Sequence, residues 1–166
     1  MARHDYNATL TAREVINPSL FVVRVRHDTG ALTFRAGQYA MLGLSSSEPR
    51  LEGSGDDPVR LPDDTLIHRP FSIASGAHEE ELEFLVRYVR EGELVPRLAQ
   101  LDVGSRLYLS EEVAGTFTLD RAPATKNLLL VATGTGVAPF VSYVRTLSKP
   151  IRSASKHVGG TADHLG

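Results

Sequence analysis

The chain has 166 residues, no cysteine and a formal net charge of −2. Without thiols it has no disulfides, no thiol catalysis and no cysteine-ligated iron–sulfur cluster, and its interspersed charges contain no basic block of the kind that tracks nucleic acid. An apolar share of 42% with 23% charged residues suits a globular chain. No apolar run nears the roughly 20 residues that span a bilayer, and residues 1–6 lack the apolar core of a signal peptide, so a cytoplasmic setting away from membranes is expected.

Residues 7–44 read as three strands. Residues 7–16 alternate loosely, and Asn17-Pro18-Ser19 marks a turn. Residues 20–26 alternate clearly and end at Asp28-Thr29-Gly30, and residues 37–44 form a glycine-punctuated third strand. Residues 45–66 are rich in turn formers and charge, which predicts a long, solvated surface loop. Strands resume at 66–74 and 82–89. Residues 93–101 carry Leu94, Leu98 and Leu101 at helical spacing, and 106–109 and 116–119 are further short strands. Many short strands with turns and one short helix point to a closed antiparallel barrel.

The style changes at residues 120–126, the predicted boundary between a barrel of residues 1–121 and a second unit, 122–148. The apolar run 128–132 predicts a buried strand, followed by the glycine turn Gly134-Thr135-Gly136. A helix follows over 137–147, whose apolar stripe is Val137, Phe140, Val141, Val144 and Leu147. This is the opening βα step of a parallel α/β sheet, a form that aims backbone N–H groups at phosphate. The third glycine of the dinucleotide fingerprint is replaced by Pro139. Residues 149–166 form a polar tail with no assigned role, and the chain stops 26 residues after Phe140.

Three short motifs carry chemistry. Arg69-Pro70-Phe71-Ser72 offers a guanidinium that can fork onto a diphosphate, a ring that can stack on a flat heterocycle, and a hydroxyl that can bond a ring nitrogen. Strand alternation puts Arg69 and Phe71 on one face and Ser72 on the other. Gly92 to Leu98 is a glycine turn entering a helix, and the turn at 134–136 is the third motif. Each alone also has a plain reading: a core phenylalanine beside a surface arginine, and two ordinary turns. The six histidines show no metal-ligand spacing and no catalytic partner, and Glu79–Glu81 and Glu111–Glu112 read as solvated turns.

The order of these motifs, most specifically over residues 68–75, 82–101 and 127–140, resembles the ferredoxin/flavodoxin–NADP reductase family in its bacterial branch. The resemblance implies a six-stranded antiparallel Greek-key FAD-binding barrel, followed here by a truncated, Rossmann-like NADP-binding α/β unit. It implies that Arg69 pairs with the FAD phosphates, that Phe71 stacks against the isoalloxazine with Pro70 also part of the FAD site, and that Ser72 sits near flavin N5, with no proton-transfer residue. Val86, Arg87 and Tyr88, with Leu94 and Val95, are implied to hold the ribityl, diphosphate and adenosine parts. Thr133 is implied to approach the flavin edge, and Gly134, Thr135 and Gly136 to lie under NADPH. Phe71 stands where the family usually has tyrosine, and Val95 where it commonly has serine or threonine; each lost hydrogen bond is worth about 1 kcal/mol.

The implied function is hydride transfer between NADPH and FAD, with single electrons passed to ferredoxin or flavodoxin. Two alternatives stand beside it: an FAD-binding module without a competent NADPH site, and an inactive fragment. The run 128–131, if left uncovered, predicts self-association, aggregation or local disorder, and residues 123–166 are expected either to dock on the barrel or to stay poorly ordered.

Overall fold

The computed structural model describes residues 6–122, 125 and 127–148. Six strands, β1 (Ala8–Asn17), β2 (Leu20–His27), β3 (Tyr39–Ser45), β4 (Leu66–Ser72), β5 (Leu82–Arg87) and β6 (Arg106–Leu109), form one sheet in the order β4-β3-β6-β1-β2-β5. Every neighbouring pair is antiparallel. The chain beyond β4 then meets β5. Ile73 bridges Phe84, and the Ala74 N–H donates to the Glu83 carbonyl at 2.7 Å. The two edges thereby join, and the sheet closes on itself.

Alternation drives the closure. Phe21, Val23 and Val25 of β2 and Leu82, Phe84 and Val86 of β5 are buried at every second position, and Leu42, Leu44, Leu107 and Leu109 meet them from the other side. Each such side chain contributes about 1.5–3 kcal/mol when taken from water. Pro70 is tolerated because β4 lies at the edge of the hydrogen-bonded order, where a missing N–H costs least. The helix α1 (Val95–Gln100) plugs the barrel with Leu94, Leu98 and Leu101.

Four expectations are corrected. Residues 116–119 are not a strand. Gly115 turns the chain at φ +112°, the ladder contact with Tyr39 ends at Ala114, and a 3-10 turn follows at Leu119–Arg121. The Phe117 carbonyl is taken by the Tyr143 hydroxyl instead of by a neighbouring strand. The run 128–132 is also not a strand but exposed coil, with Leu129 89% and Val131 79% accessible. A parallel strand needs neighbours to satisfy its backbone, and none pairs with this run among the described residues.

The helix α2 (Ala138–Leu147) forms as predicted, behind a 3-10 turn at Gly134–Val137. Its packed face differs from the predicted stripe. Ala138, Pro139, Ser142 and Tyr143 are buried, whereas Val137, Val144 and Leu147 are exposed. The buried face docks on the barrel. Ser142 Oγ donates to the Ser75 carbonyl at 2.7 Å, the Ala77 N–H donates to Thr146 Oγ1 at 2.9 Å, and Arg145 bridges Glu79 and Glu83. Phe117, Phe140 and Tyr143 form a ring cluster with centroids about 6 Å apart. Phe140 of the predicted stripe thus packs inward, while Val144 and Leu147 are left facing outward.

The loop between β3 and β4 is fastened rather than merely solvated. Ser54 is buried, and Asp57 is held by Arg50 and Arg97. The polar tail, residues 149–166, lies outside the described residues.

Candidate functional site

Register against β3 fixes where the β4 motif points. Arg69 opposes Leu42 and Phe71 opposes Ala40, both core positions, while Pro70 opposes Met41 and Ser72 opposes Tyr39. Directly opposed residues share a face, so the predicted split of Arg69 and Phe71 from Ser72 holds. The Phe71 ring is half-buried and meets Phe84 edge-on, with centroids 6.4 Å apart and planes at 71°. That contact fixes the ring plane at the rim of the core. Arg69 is half exposed; its Nη1 donates to the His68 carbonyl at 2.8 Å and its Nη2 donates to the Glu93 carboxylate. The Arg69–Glu93 pair joins the β4 motif to the glycine turn that precedes α1.

The remaining expected contacts divide into side chains and main chain. Val86 and Leu94 are fully buried in the core, so only their backbone atoms can face a ligand. Arg87 is exposed, and Val95 is half-buried at the first position of α1. Tyr88 is half-buried beside the β1–β2 hairpin, its N–H donating to the Ser19 carbonyl at 2.9 Å. It lines a cavity of about 230 Å³ together with Arg13, Phe21, Leu51 and Ala99. Residues from four separate stretches build this cavity, so no single motif announces it.

A charged clamp that sequence reasoning missed holds the turn before α1. Arg97 is 3% accessible at the side chain. Both of its Nη atoms lie 2.7 Å from the Asp57 oxygens, and they also donate to the Glu93 and Ser46 carbonyls, each at 2.7 Å. Arg50 approaches Asp57 Oδ1 at 2.5 Å and donates to the Gly92 and Arg90 carbonyls at 3.0 and 3.2 Å. The hydrogen bond from Arg97, aided by the charge of Arg50, holds the Asp57 carboxyl below the usual carboxylate range. Three carbonyls of the turn, at Arg90, Gly92 and Glu93, are therefore fixed by two arginines sharing one carboxylate. The signal in sequence was only an aspartate inside a polar loop.

At the second glycine turn, Thr133 is exposed and extended, and Gly134 takes φ +53°, a left-handed value. A Cβ placed on Gly134 would meet nothing within 4 Å, and one on Gly136 would meet only Ala132 at 3.8 Å. The turn closes through the Gly136 N–H to the Thr133 carbonyl at 3.1 Å. It lies against β5, with Thr135 half-buried. No hydrogen bond or ring contact joins Thr133–Gly136 directly to Arg69–Ser72 among the described residues, and both segments adjoin β5.

No family model matches the chain. Individual relatives do. A flavodoxin/ferredoxin–NADP reductase of Rhodobacter capsulatus is 36% identical over 137 residues, covering 82% of this chain and 45% of that protein. A ferredoxin–NADP reductase of Pseudomonas aeruginosa is 35% identical over 129 residues, covering 78% of this chain and 43% of that protein. Among solved structures, a ferredoxin NADP+ reductase from Neisseria gonorrhoeae with bound FAD and NADP superposes with a TM-score of 0.67 at 24% identity, covering 83% of this chain and 49% of that one. An Amycolatopsis cytochrome P450 reductase gives 0.61 at 26% identity, covering 84% and 38%. The chain spans less than half the length of the curated relatives it matches. On these matches the chain belongs to the ferredoxin/flavodoxin–NADP reductase family.

Proposed function

We propose that this chain binds FAD on its barrel and acts as the flavin-bearing part of a ferredoxin/flavodoxin–NADP reductase. The single observation that carries this reading is the juxtaposition at the end of β4. The half-exposed Arg69 guanidinium and the Phe71 ring, held edge-on at the core rim, share one face of the strand, the Ser72 hydroxyl follows on the other, and a clamped turn lies beside them. That donor set fits a flavin dinucleotide: the fork for a diphosphate, the ring for the heterocycle, the hydroxyl for a ring nitrogen. The chemistry a bound FAD supplies is acceptance of a hydride from NADPH and release of single electrons to ferredoxin or flavodoxin.

The chain's own residues bind and orient. Arg69 neutralises phosphate, Phe71 covers one side of the flavin, and Ser72 donates to it from the opposite face of the strand. Pro70 and Arg87 stand at the rim, Tyr88 flanks the cavity beside the hairpin, and Val86, Leu94 and Val95 contribute main-chain groups. Residues 1–121 form the FAD-binding unit and 122–148 begin the NADP-binding unit, in which the open space above Gly134 admits a phosphate-bearing ligand beside Thr133, Thr135 and Gly136.

One observation favours a second reading, that the chain holds FAD without a competent NADPH site: the run 128–132 is exposed coil without a ladder. Anaerobic titration of the flavin-loaded chain with NADPH separates the two. Rapid bleaching by NADPH, faster than by NADH, is the outcome of the first reading, and a flavin band that persists is the outcome of the second.

A further inference from the structure

The guanidinium proposed for phosphate already holds an anion of the chain itself. Arg69 Nη2 donates to Glu93, whose side chain is 16% accessible against 54% for Arg69, so the carboxylate is the inner member of the pair. Its backbone is fixed. The Glu93 carbonyl accepts from buried Arg97, and the Gly92 carbonyl accepts from Arg50. The carboxylate is thus presented to Arg69 by a turn that is clamped behind it. A diphosphate and a carboxylate want the same planar fork, and two anions on one guanidinium repel each other.

We propose that Glu93 is an internal competitor for Arg69 that sets the affinity for phosphate-bearing flavin. This rests on the flavin reading above. A phosphate reaching Arg69 has to displace the carboxylate or share the guanidinium with it. Dinucleotide binding is then weaker than the Arg69 geometry alone allows, and a flavin lacking phosphate feels no such competition.

The test is the dissociation constant for FAD and for riboflavin, by flavin fluorescence, in the intact chain and in Glu93→Gln and Glu93→Ala. The Glu93→Gln change keeps the shape and removes the charge. A half-exposed ion pair of this kind corresponds to about a two- to fivefold change. The expected result is FAD binding about two- to fivefold tighter in both variants, with riboflavin binding, or its absence, unchanged. FAD affinity unchanged or weaker in both variants, while the intact chain binds FAD, overturns the competition and leaves the flavin reading standing. An equal gain for riboflavin also overturns it, because Glu93 then acts on the fold rather than on phosphate. No flavin bound by any of the three proteins overturns both.

Discussion

Replacing Asp57 by Asn removes one charge from the centre of the clamp and leaves its shape. In the folded chain, Arg97 is almost wholly buried and its five N–H groups meet five acceptors, two of them the Asp57 oxygens. Breaking a buried pair by removing one partner costs about 3–5 kcal/mol, and one hydrogen bond to a charged group about 1.5–3 kcal/mol. Asp57 is itself 22% accessible, which lowers the first figure, while three backbone carbonyls still serve Arg97. A loss of about 2–4 kcal/mol follows. At roughly 3 °C per kcal/mol for a chain of this size, the melting temperature falls by about 6–12 °C.

The difference depends on pH in a defined direction. The Asp57 carboxyl ionises more readily in the folded chain than in the unfolded one, chiefly through its hydrogen bond from Arg97. As pH falls, the unfolded state takes up the proton first, so the stabilisation is fully present above the ordinary aspartate value of about 3.9 and is lost as pH falls through the lowered folded value. Thermal melts by circular dichroism at neutral pH and in steps down to about pH 3 measure both effects. A gap between parent and variant below about 2 °C at neutral pH, or one that does not narrow in acid, refutes the clamp.

Other outcomes follow from single positions. Gly37→Ala places a Cβ 1.8 Å from the Phe117 carbonyl oxygen at φ +93°, whereas Gly30→Ala, at φ +94°, meets nothing within 4 Å. Gly30→Ala should cost about 1–2 kcal/mol from backbone strain alone and Gly37→Ala several times as much; equal melting temperatures would contradict the crowding. Ser142→Ala strands the Ser75 carbonyl inside the barrel–helix contact and should cost about 1–3 kcal/mol, with faster proteolytic cleavage within α2; unchanged cleavage would contradict docking through this face. Burial, opposed by the Ser45 N–H, pushes the Tyr6 hydroxyl up to about 12. Its contribution to stability is therefore whole below the ordinary tyrosine value of about 10 and lost as pH rises through the folded value. Ultraviolet titration should show a tyrosine ionising near pH 12 that Tyr6→Phe removes.

The parts of the fold legible in sequence were those decided locally. The alternation of β2 and β5 is a property of their own residues, and so is the split of Arg69 and Phe71 from Ser72. What sequence could not decide depended on partners. Residues 116–119 and 128–132 have strand-like composition, but a strand exists only when a neighbour satisfies its backbone; Tyr143 takes the Phe117 carbonyl, and the second run has no ladder. In α2 the apolar stripe was visible, yet Ser142, Thr146 and Arg145 found polar partners on the barrel and turned part of that stripe outward. Within the candidate site, Arg69 and Phe71 stood out by residue type. The clamp of Arg50, Asp57 and Arg97 did not, because each is an ordinary surface residue until the loop folds over α1.

Whether the barrel is an FAD site is decided by flavin retention. The purified chain is equilibrated with FAD, freed of unbound ligand and examined by its visible spectrum, and the released cofactor is identified after denaturation, with Arg69→Ala in parallel. The expected result is a flavin-bearing chain that yields FAD and loses most of it when Arg69 is removed. A chain that retains no FAD, with Glu93 intact or neutralised, would contradict it.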